Sequence, residues 1–331
     1  MTLTRFLDEK TERALIPILF PVIFSVPFYM LCIIVACLVI PTLWPITIAY
    51  GIWLYIDRNS PWKGSRPKLA FKNLGLWKWY AAYFDPELIL TSEYPADRNY
   101  IFGNHPHGIM SIGTLITFSF NANGFFDKVK GLKMRIATLP INFWLPIYRD
   151  MIMHLGSIPS DASAIEYCLN ETPSGQIVGI VPGGAEESLD SHPGNYELTL
   201  AKRKGFVRIA IKTGASLVPV YHFGEQNTYF QIPNHRGSWV RKIQSAYKKH
   251  TGVAPVIVTG RGWFNKWIGL VPKQTKIITV VGEPIPVTKN PEPTSEEIDA
   301  LHAKYVEALT QLFEQHKHRA AIPENEHLVI C

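Results

Sequence analysis

The sequence predicts an α/β domain, a mixed or mostly parallel sheet flanked by helices, behind an N-terminal hydrophobic helical hairpin. Three observations carry this. Short apolar runs bounded by glycine and proline alternate with helical patterns along the last two-thirds of the chain, as strands and their covering helices do. Between Arg13 and Asp57 no residue is charged. Charged residues make up 18% of the 331, against roughly 25% in a soluble domain, a deficit expected of a chain partly dissolved in lipid.

The uncharged run, Ala14 to Ile56, is roughly twice as long as one spanning helix needs. Pro41 and Pro45 interrupt it, and a helix does not pass such prolines undisturbed. Two helices follow, about Pro17 to Ile40 and Leu43 to Ile56, the second short enough for the pair to dip in and return. Arg5, Lys10 and Arg13 precede the run, and Arg58, Lys63, Arg66 and Lys68 follow it. Positive flanks favour the cytosolic side, so both ends, and the domain behind them, are expected there. Residues 1–60 form this membrane hairpin; a buried core hairpin is the alternative. In residues 61–95, Trp62, Trp77, Trp79, Tyr80, Tyr83 and Phe84 interleave with Lys63, Lys68, Lys72 and Lys78. That mixture suits an interfacial linker or helix at the lipid headgroups, or an amphipathic helix packed on the domain.

Residues 96–320 are the α/β domain. Asn99 to Gly103 reads as a strand and Gly108 to Phe120 as the helix after it. Met134–Leu139 and Gln176–Val181 are strands, the second bounded by Gly175 and Pro182. Leu198–Thr213 is an amphipathic helix ending at Gly214. Ser216–Phe223, Val253–Val258 and Lys276–Val281 are further strands. Thr294–Lys317 is a helix capped at Thr294 or Ser295, with Glu296 and Glu297 in its first turn. Residues 321–331 read as a loose tail.

The formal net charge of +6 suits an anionic membrane surface or a phosphate-bearing ligand. No helix-turn-helix, zinc-finger or RNA-binding pattern is present, which argues against nucleic acid. Cys32, Cys37, Cys168 and Cys331 have neither disulfide-framework nor zinc spacing.

The sharpest chemical signal is Gly103-Asn104-His105-Pro106-His107-Gly108. A strand end followed by a proline-stiffened, glycine-flanked turn presents side chains well. Imidazole titrates near neutrality and suits a general base that deprotonates a hydroxyl. Backbone N–H groups of a turn can steady a developing oxyanion. Two histidines at this spacing could instead bind a metal, with His154, His192 and His222 as further ligands. A second signal is Val181-Pro182-Gly183-Gly184-Ala185-Glu186-Glu187. It follows a buried strand, at the kind of sheet edge where ligands bind. Gly183 and Gly184 permit close backbone approach, and either Glu186 or Glu187 could orient an acceptor or a histidine. Lys202, Arg203 and Lys204 before Gly205 suit the phosphates of coenzyme A, or form a solvated face. Arg149, within Tyr148-Arg149-Asp150, is an anion contact or an internal ion pair.

Together these motifs resemble the diacylglycerol acyltransferase type 2 family, which includes monoacylglycerol and wax-alcohol acyltransferases. The resemblance runs from the hydrophobic segment to about Pro286. It rests on Phe102 to Gly108, Tyr148-Arg149-Asp150, Gly183 to Glu186, Arg203 to Phe206, Leu217 to Val220 and Phe223-Gly224-Glu225. It implies a glycerolipid acyltransferase-like fold and an enzyme of the endoplasmic reticulum membrane that can move to lipid droplets. Acyl-CoA would be the donor, as co-substrate with no cofactor or metal, and diacylglycerol the leading acceptor. Monoacylglycerol or a long-chain alcohol are the alternatives, and a homo-oligomer is compatible. His105 becomes the leading catalytic residue, with His107 and Glu186 beside it. Arg149, Gly183, Gly184, Arg203, Lys204 and Gly205 become the acyl-CoA contacts. The chain departs from the family in carrying Asn104 before the first motif histidine, where tyrosine is usual. It also has Asp85 between Tyr83-Phe84 and Pro86. Other classes left open are a metal-dependent lipid hydrolase using both histidines and a non-catalytic lipid-binding protein.

Overall fold

The computed structural model describes residues 28–170, 172–262 and 269–331. Its strands are β1 (Glu87–Leu90), β2 (Tyr100–His105), β3 (Lys133–Thr138), β4 (Ser157–Pro159), β5 (Gln176–Ile180), β6 (Glu197–Leu198), β7 (Ser216–Phe223), β8 (Phe230–Gln231), β9 (Val258–Thr259), β10 (Ile278–Val281) and β11 (Val329–Ile330). Seven form one sheet in the order β1-β10-β7-β2-β5-β3-β4. Neighbours run parallel throughout, except that β10 is antiparallel to β7. The expected mixed, mostly parallel sheet flanked by helices is therefore what forms.

β2, β5 and β7 are buried along their whole length, which is why they read as continuous apolar runs rather than alternating ones. Successive side chains still point to opposite faces. Ile101 and Leu217 face a cluster built with the helices Ala162–Asn170, Gly205–Thr213 and Ser295–His316. Tyr100, Phe102, Val218 and Val220 face Phe118 and Phe125 on the other side. The same alternation sends Asn104 and His105 to opposite faces. The Ser295–His316 helix starts with a capping box: Thr294 Oγ1 accepts from Glu297 N at 3.2 Å, and Glu297 Oε2 accepts from Thr294 N at 2.8 Å.

Before the sheet, Phe28–Val39 and Pro41–Asp57 meet at a bend of 100°. By length and composition this bent pair could enter a bilayer together, and no single helix among the described residues is long and apolar enough to cross one. The expected first helix upstream of Phe28 lies outside the described residues. Arg149, on the helix Tyr148–His154, ties the Trp44–Asp57 helix to the domain through Asp57, at 2.9 Å.

Several expectations change. Trp77, Tyr80, Tyr83 and Phe84 are buried in a core cluster with Ile112, Ile116 and Phe120, so the aromatic residues of 61–95 pack inward on the domain. After the histidine motif the helix is only Ile112–Thr114, followed by a wider π turn at Leu115–Ser119. The helix expected from Leu198 begins at Gly205; the three cations precede it in a turn. Of the strand expected at Val253–Val258 only Val258 is extended, in the two-residue β9. The tail is not loose. β11 pairs in parallel with β6, and the carbonyl of Cys331 accepts from Leu200 N and Ala201 N at 3.0 and 2.9 Å. A run this short and polar shows no period from which to read a strand.

Candidate active site

β2 lies between β5 and β7 and runs parallel to both. The loops leaving the C-terminal ends of these three strands consequently meet at one sheet edge, the place where open α/β sheets bind ligands. They carry the histidine motif, the Gly183–Glu187 segment and the Phe223-Gly224-Glu225 segment.

His105 is the last residue of β2 and fully buried, and its peptide bond to Pro106 is cis. Its Nε2 lies 3.0 Å from the hydroxyl of Tyr305 on the long C-terminal helix. That hydroxyl donates to the carbonyl of Gly103 at 3.2 Å, so the imidazole Nε2–H donates to the Tyr305 oxygen. Nδ1 then carries a lone pair with no partner. Burial pushes the His105 pKa down to about 3, which keeps the ring neutral. Gly103 is needed here, since a Cβ would stand 1.9 Å from the Tyr305 oxygen.

His107 is partly exposed. Its Nδ1 lies 3.1 Å from the Gly108 carbonyl and 2.9 Å from Ser188 Oγ. A carbonyl only accepts, so Nδ1 carries the proton and Nε2 is left with its lone pair. Burial lowers its pKa, and the bond to Gly108 works against that.

Two buried carboxylates hold the turn from either side. Glu187, on the helix Gly184–Asp190, accepts from His107 N at 2.9 Å and from Thr199 N at 3.0 Å. Glu225 accepts from Ile112 N at 2.9 Å and Gly113 N at 2.7 Å. Desolvation raises each pKa to about 7, and the backbone bonds oppose the rise in both. Below the sheet edge, Asn104 donates to the carbonyls of Phe102 and Ile180. Its Oδ1 therefore accepts from His222 Nε2, at 3.1 Å, and His222 Nδ1 accepts from Thr279 at 2.9 Å. Burial, with His105 nearby, lowers the His222 pKa to about 3.

The sequence-expected residues separate. His105, His107, Gly183 and Gly184 gather here. Gly183 abuts Glu187, and Gly184 adopts φ +55° with open space at its Cβ position. Glu186 turns away, into an ion pair with Arg241 at 2.6 Å and another with Lys248; Glu187 occupies the place beside the motif. Neighbouring helical residues are about 100° apart, so only one of the two acids can face the turn. Arg149 is 2% exposed and bound to Asp57, the internal ion pair and not an open anion contact. Lys204 pairs with Asp299 at 2.7 Å, whereas the Arg203 charge acts on Glu187. Gly205 opens the following helix with free space around it. Tyr305 and Ser188 were not singled out by sequence; neither carries a local motif. No three His, Cys, Asp or Glu side chains among the described residues gather as a metal site. A cleft of about 320 Å³ beside the turn is walled by Pro106, Tyr221, Phe223, Lys276 and Arg319, and neither motif histidine lines it.

A family model described as diacylglycerol acyltransferase matches residues 36–331. Diacylglycerol O-acyltransferase 2 of Dictyostelium discoideum is 46% identical over 301 residues, 90% of this chain and 91% of that protein. The human 2-acylglycerol O-acyltransferase 3 is 44% identical over 303 residues, 91% of this chain and 88% of that one. Among solved structures, the 1-acyl-sn-glycerophosphate acyltransferase of Thermotoga maritima aligns with 93% of this chain and 98% of its own at 16% identity and a TM-score of 0.43, too distant to inform the site. The family match takes in all three sequence segments that close around His107, and relatives of near-equal length share more than two-fifths of its residues, so this chain belongs to the diacylglycerol acyltransferase family.

Proposed function

We propose that the chain esterifies the free hydroxyl of diacylglycerol with an acyl group from acyl-CoA, with His107 as general base. The observation that carries the base assignment is the His107 tautomer. Gly108 and Ser188 hold Nδ1–H, so Nε2 is unprotonated, and it has no hydrogen-bond partner among the described residues, in a residue that is only partly buried. His105 by contrast is sealed in, with Nε2 bound to Tyr305; it stiffens the turn from the opposite face.

The acceptor O–H gives its proton to His107 Nε2 as the oxygen attacks the thioester carbon. The tetrahedral intermediate collapses, the C–S bond breaks, and the CoA thiolate takes the proton from the imidazolium. No acyl-enzyme is required, and no GxSxG elbow is present in the sequence. Backbone donors for the oxyanion are limited. The N–H groups of His107, Ile112 and Gly113 are already held by Glu187 and Glu225, and that of Ser111 by the His107 carbonyl. Gly108, Ile109 and Met110 remain to serve. Arg203, whose charge acts on Glu187 and which is not taken up as Lys204 is by Asp299, is the favoured contact for a CoA phosphate. We place the enzyme on the endoplasmic reticulum membrane with its domain in the cytosol, anchored by the apolar N-terminal run.

The test uses membranes containing the full chain, labelled oleoyl-CoA, and diacylglycerol, 2-monoacylglycerol or hexadecanol offered separately. His107→Ala should lower ester formation by roughly 100- to 10,000-fold, the usual worth of a general base. Full activity of His107→Ala, with loss in His105→Ala, would move the base to His105. Preference for 2-monoacylglycerol would replace the acceptor and leave the chemistry intact.

A further inference from the structure

Among the described residues, the helix Trp239–Thr251 is held to the domain by one face. Arg241 and Gln244 are buried. Arg241 pairs with Glu186 at 2.6 Å and Asp190 at 2.7 Å, and Gln244 bonds Asn234 and the Pro255 carbonyl. Ser238 caps its start and Gly252 ends it, so both ends are finished and the helix is not a frayed excursion.

Its other face carries Trp239, Ile243 and Tyr247, 73%, 60% and 51% exposed. Spaced at four residues, they fall within an arc of about 80°. Lys242 and Lys249, both exposed, lie together along one edge of that arc, and the helix contains no acidic residue. Phe230 of β8 and Ile257 beside β9 add 44% and 55% exposed side chains on the ribbon that follows the site. Single exposed apolar residues are ordinary, but an aromatic-aliphatic stripe edged by lysines is the pattern of a helix lying in a lipid interface.

We propose that this face docks on a bilayer surface containing anionic phospholipid, separately from the N-terminal anchor. Its apolar stripe enters the headgroup–acyl boundary, and Lys242 and Lys249 meet the anionic headgroups. The inner face of the same helix reaches the Gly184–Asp190 helix beside the catalytic turn. Arg241 grips the helix that bears Glu187 and Ser188. Gln231, next to Phe230, donates to the carbonyls of Ser188, Leu189 and Ser191 at 3.1 to 3.2 Å. Tyr229 touches Met110 of the motif turn, 3.7 Å from its sulfur. Docking therefore brings His107 to the lipid surface from which a neutral acceptor must come. That consequence rests on the acyltransferase reading above; the docking itself does not.

The experiment uses the full chain in vesicles of phosphatidylcholine and phosphatidylserine. The exposed Cys32 and Cys331 and the half-buried Cys37 are replaced by serine, buried Cys168 is kept, and a bimane label is placed at Ile243→Cys or, as a control, at exposed Lys304→Cys. The label at 243 should be quenched several-fold more by doxyl-labelled lipid than by aqueous iodide, and the label at 304 the reverse. A 243 label as open to iodide as the 304 label overturns the proposal. So does one closed to both quenchers, which would mean that protein covers the face. In parallel, Trp239→Glu/Ile243→Glu should lose activity toward long-chain diacylglycerol in the bilayer and keep it toward a short-chain diacylglycerol dispersed in water. Equal loss with both acceptors overturns the proposal. A wild type that acylates neither acceptor overturns the assigned activity and leaves the quenching result to decide the docking.

Discussion

Gly183 and Gly184 adjoin in the sequence and should fail for different reasons when replaced by alanine. Gly183 sits at φ −68°, where alanine is unstrained. Its Cβ, however, would lie 1.8 Å from the Glu187 carboxyl carbon and 2.1 and 2.3 Å from the two oxygens. Glu187 would have to leave, and its departure strands the N–H groups of His107 and Thr199. Each buried donor without an acceptor costs about 1–3 kcal/mol, so Gly183→Ala should lose about 2–6 kcal/mol. At about 2 °C per kcal/mol for a large domain, the midpoint of thermal unfolding falls by roughly 4–12 °C. At Gly184 nothing lies within 4 Å of the Cβ position, and the cost is only the left-handed backbone, about 1–2 kcal/mol. The decisive form is a double-mutant cycle with Glu187→Ala, read by thermal unfolding of the detergent-solubilised full chain and by ester formation. With Glu187 gone the Gly183 clash has no partner, so adding Gly183→Ala to Glu187→Ala should cost almost nothing. Costs that simply add, or a Gly183→Ala protein no less stable than Gly184→Ala, would refute the reasoning.

Arg149→Met leaves the buried Asp57 with Arg66, at 2.7 Å, and the Ser60 hydroxyl, at 2.5 Å, as partners; the expected loss is about 3 kcal/mol, toward the low end for a broken buried pair. KM for acyl-CoA should stay unchanged, whereas a raised KM with intact stability would show a substrate contact. Glu225 and Glu187 have folded pKa values raised to about 7, so the folded chain binds more protons than the unfolded one between about pH 4.5 and 7. Their contribution is present below that window and lost as pH rises through it, by up to about 1.4 kcal/mol per pH unit for each group. Glu225→Gln should be less stable at every pH, because its amide nitrogen must face a backbone N–H, and should show a shallower fall across the window; an unchanged slope in chemical denaturation counts against the shift. Gly103→Ala should abolish activity by driving Tyr305 from its place, and Tyr305→Phe should restore part of it by removing the oxygen that the new Cβ meets at 1.9 Å.

What the sequence disclosed and what it hid divide by range. Gln176 to Ile180 and Ser216 to Phe223 were legible because strands buried on both faces are unbroken apolar runs between glycine and proline punctuation. Thr294 was legible because a capping box is a local pattern. β1, β4 and the amphipathic Trp239–Thr251 helix were passed over. β1 and β4 are short, and the helix announces itself only when its buried Arg241 is seen to be paired with acids more than fifty positions away. The histidine motif stood out in the sequence, but the division of labour proposed between His105 and His107 did not. It depends on Tyr305, 200 residues downstream, and on Ser188.

The choice between Glu186 and Glu187 shows why motif reading stops where it does. Both acids lie in one motif, and composition treats them alike. Their fates are set by a helix that begins at Gly184 and turns each residue about 100° from the last. One acid faces the turn on β2, and the other faces the cations of the Trp239–Thr251 helix. The strand order explains why separated motifs serve one site. Because β5 and β7 flank β2 in parallel, whatever follows each strand arrives at the same edge, and the carboxylates of Glu187 and Glu225 enter from either side. Each uses both oxygens on backbone N–H groups, Glu225 on Ile112 and Gly113 and Glu187 on His107 and on Thr199 after β6, so they act on the shape of the turn rather than on an imidazole. Their removal should therefore disturb geometry first and proton transfer only through it. The acidic motifs are best understood as clamps on the turn, which in the proposed mechanism hold His107 where its Nε2 can meet a hydroxyl.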